Sequence, residues 1–177
     1  FTDLLREAVG QLKGDALEGG ERLEPEVKFP LDASIPEPYI PDLSERLLLY
    51  QRLALIDEYH EADEILDEMA DRFGEPSEEV RNLVDIMRYR GLLRRFAIAK
   101  AELSGRRLVL WLTNRSPLDL SALLALAESQ PQIYRLGKNL TWWVELSSEK
   151  LPLLSIYRIT ESLLDGVRQE RLPASSS

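Results

Sequence analysis

The sequence predicts an α+β domain in which N-terminal helices precede a small antiparallel sheet, built in the order hairpin, helix, hairpin, helix. Three observations predict it. Apolar residues recur at helical spacing through most of residues 44–96. The period switches to two in AKAELSGRRLVLWLT and again in QIYRL and LTWWVEL. Each alternating stretch turns at a glycine, Gly105 or Gly137. The 177 residues, 44% hydrophobic and 30% charged, suffice for one domain with a real core.

Residues 1–13 place Leu4, Leu5, Ala8, Val9 and Leu12 on one helical face before the turn-rich GDALEGGERLEPE. Pro30, Pro36, Pro38 and Pro41 then enforce an extended arm, with room for one edge strand at residues 27–31. Asp42 or Ser44 caps a helix whose Leu47, Leu48, Leu49, Tyr50, Leu53, Ala54 and Ile56 cover most of its circumference, which predicts burial on two sides. Residues 61–73 form a cleaner amphipathic helix, with Ala62, Ile65, Leu66, Met69, Ala70 and Phe73 on one face and Gly74 as its stop. Ser77 caps a third helix running to about Phe96, with Val80, Leu83, Val84 and Met87 inward and Arg81, Arg88, Arg90, Arg94 and Arg95 at its outer positions. After the first hairpin, turning at Ser104-Gly105, Ser116-Pro117 opens a helix that Pro131 closes. The second hairpin turns at Gly137-Lys138-Asn139. Ser147 or Ser148 caps the last helix, on which Leu153, Ile156, Tyr157, Leu163, Leu164 and Val167 keep helical spacing. A disordered tail at residues 173–177 ends the chain.

Composition narrows the chemistry. No apolar run reaches the roughly 20 residues that span a bilayer, and FTDLLREAVG carries acids where a cleavable signal would be apolar, so no membrane partner is expected. With no cysteine, disulfides, thiol catalysis and cysteine zinc sites are excluded, in keeping with a cytoplasmic protein. Net charge is −9, unevenly spread: residues 1–80 hold 22 acids and 7 bases, net −15, and residues 81–177 hold 9 acids and 15 bases, net +6. Such a chain either folds acid onto base or offers an acidic face to a basic partner.

No phosphate-binding glycine loop is present. His60 and Glu64 share a helical face, but two ligands do not make a metal site, and no serine has a second histidine to activate it. Neither a catalytic residue nor a metal ligand is therefore assigned. Trp111, Trp142 and Trp143 lie near Arg106 and Arg107, a pairing that can stack bases, yet the bases form no extended run and no direct nucleic-acid contact is expected. Since adjacent strand residues face opposite ways, one of Trp142 and Trp143 belongs to the core. The most informative feature is the face opposite the apolar stripe of residues 61–73. Asp57, Glu61, Glu64, Glu68 and Asp71 line it, with Arg72 beside its end. Like charges at this spacing repel at a few tenths of a kcal/mol per pair, a cost that points to an interaction surface.

The order YIPDLSERLLLYQRLA, then DEILDEMADRFGEPSEEVRNLVDIMRYRGLL, resembles the C-terminal domain of the bacterial transcription-repair coupling factors. The likeness lies in an RLxLYxRLA helix, an ExxDRFG helix end and an EEVRNL helix start at these separations, and PQIYRL extends it over about residues 27–170. One departure is that Pro76 stands two residues after Gly74 where the family commonly has proline three after. The resemblance implies that residues 1–26 are a remnant helix and linker of a preceding translocase module and that residues 27–172 are a regulatory domain without catalysis or cofactor of its own. ATP and magnesium would belong to the parent's motor. It further implies that the domain packs on the N-terminal UvrB-like module of the same protein, masks the surface that binds UvrA, and restrains the DNA translocase until stalled RNA polymerase is engaged. Carried onto the exposed side of ExxDRFG, the interdomain contact falls on Glu68, Asp71 and Arg72, with Glu64 and Glu61 further along the same stripe. The alternative is an adaptor whose acidic face binds another partner, such as RNA polymerase, directly.

Overall fold

The computed structural model describes residues 22–170. The helix expected at residues 1–13 and the tail expected at 173–177 lie outside them. The elements are β1 (Glu26–Lys28), α1 (Leu43–Ala54), α2 (Tyr59–Phe73), α3 (Glu78–Arg95), β2 (Lys100–Ser104), β3 (Arg107–Trp111), α4 (Leu120–Ser129), β4 (Tyr134–Gly137), β5 (Thr141–Glu145) and α5 (Leu153–Gly166). The class is α+β, as expected, but the sheet is larger than two hairpins. Five strands run in the order β1-β2-β3-β5-β4, and β1 joins β2 in parallel, with Val27 opposite Ala101. The sheet is therefore mixed.

Its two faces follow from the register. Leu110 stands opposite Ala101 on one side and Trp142 on the other, and Leu108 stands opposite Leu103 and Val144. This inner face is buried against the helices. Trp142 is 1% exposed while Trp143 faces outward, so one tryptophan of the pair is core, as the alternation requires.

The α3 helix runs through the centre, and here the outer arginines of the sequence reading must be corrected. Arg88 and Arg90 are buried. A buried guanidinium needs acceptors for its N–H groups. Arg90 donates through Nε to the Pro25 carbonyl at 2.9 Å and through Nη1 to the Ala54 carbonyl at 3.2 Å. The neighbouring Arg94 donates to the carbonyls of Leu23, Ala54 and Ile56 and to Asp57 Oδ1, the last at 2.6 Å. The orphan carbonyls at the end of α1 are thus capped by α3 side chains. Desolvation depresses the pKa of both arginines, Arg90 to about 10. Both remain charged at neutral pH.

The proline arm wraps α1 and α2 through specific bonds. Tyr50 Oη accepts the buried Ile35 N–H at 2.8 Å, and Arg46 Nη1 reaches the Ile40 and Pro41 carbonyls. Tyr39 Oη donates to the Gly74 and Met69 carbonyls at the end of α2. Asp42 caps α1 and Ser77 caps α3. Three boundaries move. The first hairpin turns at Gly105-Arg106. α4 begins at Leu120 behind the cap Asp119, because Leu118 bridges to Arg168 instead of entering the helix. α5 begins at Leu153 behind Pro152, not at Ser147 or Ser148.

Candidate functional site

The acidic face of α2 does not stand alone. α1 lies beside it and supplies cations, so the expectation of mutual repulsion along the stripe is corrected by partners from other elements. Arg52, in the last turn of α1, holds Glu68 with both nitrogens: Nη1 to Oε2 at 2.6 Å and Nη2 to Oε1 at 3.0 Å. Arg72 Nη1 reaches the same Oε2 at 3.1 Å, and Arg72 Nη2 reaches Glu45 Oε1 on α1 at 3.0 Å. The Arg72 guanidinium also stacks 4.7 Å from the centroid of Phe73, which is half-buried between core and surface. Arg52, Glu68, Arg72 and Glu45 thus form a continuous clip between the two helices.

Other members of the stripe are differently occupied. Asp57 precedes α2 and takes Arg94 at 2.6 Å and Arg22 at 3.0 Å. Glu61 turns back to accept the Glu58 N–H at 2.9 Å, closing the first turn of α2. Glu64 and Asp71 are exposed and have no ion-pair partner among the described residues. Of the five predicted site residues, then, Glu68 and Arg72 are joined in the clip, Glu64 and Asp71 flank it in solvent, and Glu61 serves the helix.

Besides Arg52 and Glu45, sequence reasoning missed two apolar residues of this face. Leu48 and Leu55 are 55% and 44% exposed on α1, where burial on two sides was expected, and Leu43 is exposed as well. Leu48 lies four residues before Arg52 and Leu55 three residues after it, so the clip is bracketed by solvent-facing leucines. The fully apolar look of that helix was the signal. Its buried line is already met by Leu49, Tyr50, Leu53 and Ala54, which leaves the other leucines unexplained by the core.

The clip has a pH signature. The hydrogen bond from Arg52 lowers the Glu68 pKa, burial partly opposes it, and Arg72 adds to the lowering. A depressed carboxylate stabilises above its unfolded pKa, and that contribution is lost as pH falls through the folded value. Because these side chains are about 37–44% exposed, the gain is small. Glu68→Gln is expected to cost less than about 1 kcal/mol near neutral pH. In urea unfolding the gap from wild type narrows as pH falls below the ordinary glutamate range and closes once Glu68 is protonated in the folded state as well.

Little else converges on chemistry. Among the described residues no three His, Asp or Glu side chains are grouped to hold a metal ion. No described helix is long and apolar enough to cross a membrane. A groove of about 900 Å³ between α4 and α5 is lined by Leu126, Ile159 and Leu163, with Arg158 its charged member and no carboxylate.

Fold and face together define an α+β domain that presents an ion-paired, leucine-flanked pair of helices to its surroundings. Residues 29–123 match the model of the TRCF domain, and the chain belongs to the TRCF domain family. Among curated relatives, a transcription-repair-coupling factor of Escherichia coli strain K12 is 32% identical over 139 residues, covering 77% of this chain and 12% of that protein. One from Myxococcus xanthus is 29% identical over 140 residues, covering 79% and 12%. The chain therefore spans about 12% of the length of these relatives. A crystal structure of the C-terminal domain of a transcription-repair coupling factor superposes with a TM-score of 0.64 at 21% identity, covering 81% of this chain and 95% of that one. At this identity the likeness is one of fold.

Proposed function

We propose that this domain is the regulatory C-terminal module of a transcription-repair coupling factor and that its α1–α2 face docks on the N-terminal UvrB-like module of the same longer protein. Docking there covers the surface that UvrA binds and holds the ATP-driven translocase in check until stalled RNA polymerase is engaged. The module does no chemistry and holds no cofactor itself, and its contacts are with protein, not with nucleic acid or membrane. Residues 1–26 are then the end of the preceding motor module.

The observation that carries this reading is the position of ExxDRFG. Its exposed side coincides with the clip and with Leu48 and Leu55, so one patch combines charge and exposed apolar surface. The division of labour is specific. Asp71 and Glu64 are open to basic residues of the partner, and Glu68, pinned by Arg52, holds Arg72 in place. Exposed pairs contribute about 0.2–1 kcal/mol each, which gives a latch that a competing partner can open.

Calorimetric titration with the separately expressed N-terminal half of the parent tests it. Binding is expected for wild type and lost in a folded Glu68→Ala, Asp71→Ala, Arg72→Ala variant. Undiminished binding by the variant, or none by wild type, overturns the assignment, and binding of RNA polymerase through the same residues would make the domain an adaptor.

A further inference from the structure

The outer face of the sheet carries a second organised surface that the docking reading does not use. Three rows of residues cross it in register: Glu26, Lys100, Trp111, Thr141 and Gly137; then Lys28, Glu102, Val109, Trp143 and Arg135; then Ser104, Arg107 and Glu145. Trp143 stands at the centre and is fixed from several sides. Its indole Nε1 donates to Thr141 Oγ1 at 3.0 Å. It lies over Gly137, where a Cβ would come within 2.6 Å of Nε1. Guanidiniums from both flanking strands lie over its ring, Arg135 at 4.3 Å and Arg107 at 5.1 Å from the centroid.

Of the three strand carboxylates of this face, Glu26 lies on the edge strand β1, at the opposite side of the sheet from Arg135 on β4, and the other two are already engaged. Glu145, which faces Arg107 across the strands, takes Arg106 at 3.1 Å, and Glu102 takes Lys100 at 3.5 Å. Among the described residues Arg107 and Arg135 have no carboxylate partner, and both are exposed. Planar guanidiniums supported by an aromatic ring keep their N–H edges free for bidentate acceptors.

We infer that this face is a docking site for an acidic polypeptide segment of a partner protein, whose carboxylates pair with Arg107 and Arg135 across Trp143. Charge complementarity selects that occupant: the two guanidiniums left without a carboxylate on the face are the ones stacked on the indole. A nucleobase fits less well. The Trp143 ring already carries two guanidiniums and Trp111 has Lys100 at 4.7 Å, so a base stacking on either indole competes with a cation already placed there. The net charge of −9 adds no general pull on phosphate.

The test follows the Trp143 indole N–H resonance while the labelled chain is titrated with an oligoglutamate peptide of about ten residues or an oligothymidylate of about fifteen nucleotides. The peptide is expected to shift that resonance and the oligothymidylate to leave it unmoved. The Arg107→Gln, Arg135→Gln variant is expected to bind the peptide at least about tenfold more weakly, and Lys28→Gln, a charge loss on the same face, to bind it like wild type. The proposal is overturned by an unmoved indole signal with peptide, by tighter binding of the oligothymidylate, by unchanged peptide affinity in the double variant, or by an equal loss in Lys28→Gln. A concentration-dependent shift without any added probe would make the occupant a second copy of the chain and would overturn it too.

Discussion

Arg88→Ala is expected to lower the stability of the domain by about 3 kcal/mol, within the range for breaking a buried charge network by removing one member. Arg88 is 2% exposed. Its Nη1 donates to the Tyr59 carbonyl at 2.6 Å, its Nη2 to Asp63 Oδ1 at 2.7 Å, and its Nε lies 3.5 Å from Asp85 Oδ1. The guanidinium also covers the Tyr59 ring at 4.0 Å. It therefore ties the start of α2 to the middle of α3, and its loss leaves a void as well as an unneutralised Asp85. The reciprocal change is smaller: Asp63 is 53% exposed and its removal opens no void, but Arg88 Nη2 loses its acceptor, so Asp63→Ala costs about 1–2 kcal/mol. Burial raises the Asp85 pKa, and Arg88 opposes that rise. Without Arg88 the carboxyl moves further up, so its protonated form favours the folded state. The deficit of Arg88→Ala should accordingly be smaller at about pH 5 than at about pH 7. Chemical unfolding at the two pH values measures it. An equal deficit at both, or Asp63→Ala matching Arg88→Ala, would refute this account of the buried arginine.

Gly91→Ala should cost a similar amount, for a steric reason. A Cβ at Gly91 would stand 2.5 Å from the Ile56 carbonyl oxygen and 3.0 Å from Asp57 Cα. Those are backbone atoms, and Arg94 pins them through Ile56 O and Asp57 Oδ1. Alanine gains up to about 1 kcal/mol of helix propensity over glycine, but forcing the 56–57 backbone off α3 costs about 1–3 kcal/mol or more, and the overlap wins. We expect a net loss of about 2 kcal/mol, or roughly 4–8 °C in melting temperature. Because residues 56 and 57 join α1 to α2, the same shift would disturb the clip. Gly166→Ala is the control: nothing lies within 4 Å of its Cβ position, and it should leave stability unchanged or slightly raised.

These two sites also mark where sequence reasoning ended. In α2 the apolar positions Ala62, Ile65 and Met69 are the buried ones, because an amphipathic helix with one covered face obeys its local period. In α3 the same reasoning put Arg88 and Arg90 outside. Their burial depends on carbonyls 29 and 36 residues away, and no local pattern encodes such partners. β1 is the edge strand that the sequence left room for, but its parallel pairing with a strand beyond three helices is a contact set by packing. The acidic stripe was legible in position and not in state. The i+4 neighbour Arg72 was visible, but Arg52 and Arg94 reach Glu68 and Asp57 across 16 and 37 residues. The outward leucines of α1 stayed hidden because a helix apolar all round reads as buried.

On the proposed function, the α1–α2 face is where the domain docks on the N-terminal module of the same longer protein. Amide hydrogen exchange of this chain, alone and saturated with that module, tests it most directly. The account predicts added protection over residues 43–57 and 59–75, and none over the outer sheet strands 100–111 and 134–145. Protection confined to the sheet or to residues 120–166, with residues 43–75 exchanging as in the free chain, would contradict it.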